Sequence, residues 1–131
     1  MTAARRFLPA LLLVVSAAAG ASAPAGTAQN FLDRVHTLKS RGPMALFSGD
    51  IGKLKAEANA AGRSIEADRI TADRSHRAPA YCSPKPKVPL GQSEFLAGLE
   101  RIPAGQRATM PLKQAMLRVI QAKYPCGARR A

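Results

Sequence analysis

The sequence predicts an all-α fold built from four main helices and closed by one disulfide. Three observations carry that prediction. Apolar residues recur at helical spacing in four separate stretches, and no period-two run of β-branched residues appears anywhere. The only two cysteines, Cys82 and Cys126, bracket the last two of those stretches. If the two form an antiparallel hairpin, the start of one lies beside the end of the other, so the thiols meet despite 44 residues of separation.

The chain opens on what reads as a secretory signal over residues 1–23. Arg5 and Arg6 make a basic start, Phe7 to Val15 and the alanines after it an apolar stretch, and Ala21-Ser22-Ala23 a cleavage site. The apolar run is broken by Pro9 and is short for a span of about 20 apolar residues, so no stable membrane anchor is expected. Cleavage after Ala23 leaves a single domain, residues 24–131, and export implies an oxidising compartment in which two cysteines pair.

The elements follow in order. Pro24 to Ala28 is a small-residue leader, expected to be mobile. Thr27 is placed to cap a first helix carrying Phe31, Leu32, Val35 and Leu38, which Gly42-Pro43 ends. Met44, Ala45, Leu46 and Phe47 are expected to form a compact apolar knot. Ser48 or Asp50 then caps a long second helix with Ile51, Leu54, Ala58, Ala61, Ile65 and Ala72 on one narrow, alanine-rich stripe that invites close helix packing. Arg69 to Ala80 is polar and should fray. Ser83 to Pro89 is stiffened by three prolines. A third helix over Gly91 to Ile102 turns Phe95, Leu96, Leu99 and Ile102 inward. Pro103 and Gly105 break the chain, and a fourth helix over Thr109 to Lys123 turns Leu112, Ala115, Met116, Val119 and Ile120 inward before Pro125 stops it.

Charge and motifs narrow the function. Of 20 basic residues two leave with the signal, so 18 remain against 8 acidic ones. No block of five like charges appears, which favours a solvated basic surface over a nucleic-acid site, and an exported chain has little access to nucleic acid. No nucleophile elbow, zinc-helix signature, P-loop or dinucleotide fingerprint is present, and neither His36 nor His76 sits in a Cys/His cluster. An enzyme is therefore not expected, nor a metal or other cofactor. A protein partner is, with self-association left open.

The stretch Tyr81 to Cys126 adds a resemblance. Tyr81-Cys82, Pro84, Leu90-Gly91-Gln92 and Tyr124-Pro125-Cys126 resemble the Rap1a/Tai family of type VI secretion immunity proteins. That likeness implies a small, exported, periplasmic helical protein that binds a cell-wall amidase effector and occludes its active site, with no catalytic residue of its own. Two irregular segments could enter such a cleft: Ser83 to Pro89, with Lys85 and Lys87, and Pro103 to Pro111, with Arg107. Pre-stiffened segments lose little entropy on docking. The competing expectation is a free-standing periplasmic helical protein, chaperone-like, that binds envelope components or unfolded clients.

Overall fold

A computed structural model describes residues 23–127; the expected signal, apart from Ala23, lies outside the described residues. Within them the chain is mostly helical: α1 (Ala28–Ser40), a 3-10 helix (Gly42–Phe47), α2 (Asp50–Arg74), α3 (Gln92–Arg101), a single turn α4 (Ala104–Arg107) and α5 (Leu112–Lys123), with a non-helical connection over residues 75–91. Among the described residues there is no strand, only an isolated antiparallel bridge between Thr27 and Pro111.

That bridge overturns the expectation of a mobile leader. Thr27 is the cap of α1, its Oγ1 accepting from the Asn30 N–H at 3.3 Å and donating to the Pro24 carbonyl at 2.7 Å. Ala28 N donates to the Met110 carbonyl at 2.9 Å, and Leu112 N to that of Gly26 at 3.0 Å. Gly26 has φ 80°, the left-handed geometry this corner needs. The leader thus stitches the start of α1 to the start of α5.

The remaining boundaries differ where local hydrogen bonding outweighs composition. Gly49, not Ser48 or Asp50, occupies the cap position of α2, with no side-chain cap bond. The far end of α2 does not fray at Arg69: Arg69 pairs with Glu66 at 2.8 Å and Asp73 at 3.0 Å, one turn to either side. The helix runs to Arg74 and closes as a Schellman motif, with Arg77 N on the Ala72 carbonyl at 2.9 Å and His76 N on that of Asp73 at 3.1 Å. His76 holds the left-handed position, φ 52°, usually given to glycine. The expected break after α3 holds a helical turn of its own, and the expected fourth helix starts later. Pro103 opens the α4 turn, and Pro111, extended at ψ 145°, lets α5 start at Leu112 rather than Thr109.

The core lies where α1, α2, α3 and α5 meet. Leu32 and Leu99 are almost fully enclosed, and Phe31 and Phe95 stack at 5.9 Å with their planes tilted by 56°. α5 contributes Leu112, Ala115, Met116 and Val119, all buried; Ile120, also expected inward, is only half-buried. α3 crosses α5 closely because Gly98 faces Val119: a Cβ built at Gly98 would stand 2.5 Å from Val119 Cγ1. Cys82 and Cys126 form the expected disulfide, with Cα atoms 4.7 Å apart and Cys82 N donating to the Tyr124 carbonyl at 3.0 Å. In the loop-entropy account, closing 44 residues contributes about 4 kcal/mol.

Candidate functional site

The segment expected to be an apolar knot is not packed. In the 3-10 helix only Ala45 is buried; Met44, Leu46 and Phe47 are 72, 74 and 86% exposed. Six residues wound at three per turn form a tip too short to fold back, so three large apolar side chains point outward. Exposed apolar residues scattered singly need no explanation, but three within four positions form a patch.

Beside that tip lies a groove of about 890 Å³ between α1, α2 and α3, with Gly42 and Ala45 in its lining. Its origin is in the sequence of α2. The 25-residue helix buries only Leu54 and Ile65 fully; Ala58 and Ala61 are half-buried against the core, and with Gly62 they carry too little side chain to reach α3. The alanine-rich stripe packs closely on α5, as expected, and leaves a gap on the side toward α3. Phe31, Val35 and Leu38 of α1 form one wall, Leu90, Phe95 and Leu96 the other, and Met116 and Ile120 of α5 the base.

The rim is basic. Ile51, Lys55, Asn59 and Arg63 follow one another at four-residue spacing along α2, and Lys39 closes the end near the tip. No Asp or Glu lines the groove, and among the described residues none of Lys39, Lys55 and Arg63 pairs with a carboxylate. The three cations are exposed at the mouth of an apolar trough.

The residues singled out from sequence are elsewhere and are not brought together. Lys87 Nζ donates to Glu66 Oε1 at 2.8 Å, fastening the proline-rich segment to α2. Glu66 also accepts from Arg69 at 2.8 Å and from the Tyr81 hydroxyl at 3.0 Å. The Arg69 guanidinium, then Lys87, hold its carboxyl at about 2, well below the usual range. Burial, with the Glu66 contact, raises the Tyr81 hydroxyl. Lys85 is exposed in the same segment. Arg107 works inside the chain: Nη1 donates to the carbonyls of Glu100 at 2.8 Å and Ile102 at 2.9 Å, and Nε to Gln29 Oε1 at 2.8 Å. It satisfies the open carbonyl end of α3 and ties it to α1, a capping role its loop position did not announce. Lys85 and Lys87 lie by the C-terminal end of α5, near the disulfide, and Arg107 by its N-terminal end.

His36 is exposed, its Nε2 3.2 Å from Glu100 Oε1. Among the described residues no three His, Cys, Asp or Glu side chains cluster as metal ligands. No helix there is long and apolar enough to cross a membrane. No family model, curated protein or solved structure matches the chain.

Proposed function

We propose that this chain is an exported, periplasmic binding protein of the immunity type, which docks on a cell-wall amidase and occludes its cleft. The observation that carries the reading is the exposed tip, Met44, Leu46 and Phe47, held out by a short 3-10 helix between α1 and α2. Protein interfaces gain most of their affinity from a few buried apolar and aromatic anchors, and a tip fixed at both ends loses little entropy on insertion. The disulfide and the resemblance of residues 81–126 to the immunity family support the compartment and the class of partner. The tip, rather than the two irregular segments near α5, is the inserting element in this reading. Lys85 then acts on encounter with an acidic partner.

Amidases exported by the same cell provide the test. Replacing Leu46 and Phe47 together by Asp should weaken inhibition at least about 30-fold, the loss of about 2 kcal/mol that one anchor carries. Lys85→Glu should slow association at low salt and leave dissociation unchanged. A chain that binds none of those amidases, or a tip variant that inhibits like wild type, contradicts the proposal.

A further inference from the structure

We infer that the groove between α1, α2 and α3 is a binding site for a single-chain amphiphile with an anionic head, a ligand class of its own beside the protein partner proposed above. Its apolar walls meet three unpaired cations at the rim and no acidic side chain. Complementarity therefore requires a ligand that is apolar along its length and negative at its head. A second copy of this chain is a poor occupant, because its own excess of basic groups would face Lys39, Lys55 and Arg63.

Dimensions suit a small ligand. The Ile51-to-Arg63 edge is about 18 Å long at 1.5 Å per residue. The volume also falls within the roughly 300–1,000 Å³ of small-molecule sites. The tail would lie over Ala58 and Gly62, against Met116 and Phe95, with the head at the rim where long basic side chains reach into water.

The probes are palmitate and, as its charge-reversed counterpart, hexadecyltrimethylammonium, both below micelle formation, titrated into the purified chain with its disulfide closed. Palmitate should bind one to one, at least tenfold more tightly than the cationic amphiphile. Lys39→Glu, Lys55→Glu and Arg63→Glu combined, all exposed and therefore compatible with folding, should weaken palmitate at least tenfold. Gly62→Leu should fill the floor and do the same; its Cβ meets only Met116 Sδ, at 3.8 Å. Circular dichroism checks that each variant is folded. Absence of palmitate binding, equal binding of both amphiphiles, or indifference to both sets of substitutions overturns the site. So does a dimer that buries the groove, or an amidase held there and released by Gly62→Leu when palmitate does not bind. Loss of amidase inhibition with palmitate binding intact would overturn only the immunity reading.

Discussion

Glu66 shows how much one residue joins in this chain. It takes Arg69 from its own helix, Lys87 from the proline-rich segment and Tyr81 from beside the disulfide. A carboxyl held at about 2 in the folded chain and near 4.5 when free contributes stability that is fully present above about pH 4.5. That contribution is lost as pH falls through about 2. The carboxylate side chain is 30% exposed, so solvent screening keeps the effect on the order of 1 kcal/mol. Glu66→Gln should therefore lower the urea midpoint at pH 7, with the gap to wild type narrowing steadily toward pH 2. A gap at pH 2 as wide as at pH 7 would contradict the assignment. None of this was legible in the sequence, because Glu66 reads there as one of several charges on an exposed helix face. The intramolecular contacts of Arg107 were hidden in the same way: its position between two prolines suggests a loop, while the carbonyls it caps belong to a helix end that only the fold brings near.

At the scale of elements, helical periodicity was enough to place α1, α3 and most of α5, and Thr27, Gly42 and Pro103 mark boundaries by chemistry that acts within a few residues. The second helix and the tip were harder. An alanine stripe is compatible with close packing or with a gap, and the choice depends on whether its neighbours approach. Here α5 approaches the stripe, while α3 packs on α5 through Gly98 and leaves the other side of α2 open. Two of the helix glycines, Gly98 and Gly52, accordingly make opposite predictions. Gly52 has no atom within 4 Å of an added Cβ, so Gly52→Ala should stabilise by about 0.5–1 kcal/mol through helix propensity. Gly98→Ala gains the same propensity but drives a methyl into Val119, a stiff β-branched side chain that is itself buried. Overpacking costs about 1–3 kcal/mol, so the net change should be destabilising. Thermal unfolding of both variants checks the pair, and a stabilised Gly98→Ala would show that α3 and α5 are not in close contact.

Across the whole molecule, the disulfide and the bridge between Thr27 and Pro111 fasten opposite ends of α5, and α5 carries the base of the groove. α2, packed on α5 and paired with α1 through Arg34 and Glu57, stands off from α3 and leaves the apolar trough open. The all-α class and the cysteine pairing were legible because they follow from periodicity and from two residues that have only each other. The candidate site was not, since its walls come from four helices and its cations, Lys39, Lys55 and Arg63, are spread over 24 positions of otherwise ordinary basic sequence. The central claim is that this face, not the segments around Lys85 and Arg107, is where the chain binds. Amide hydrogen exchange with and without saturating palmitate tests it most directly. Protection should rise over Phe31–Gly42 and Ile51–Arg63 and stay unchanged over Ser83–Pro89 and Pro103–Pro111. Protection confined to those last two segments, with none along α1 and α2, would contradict it.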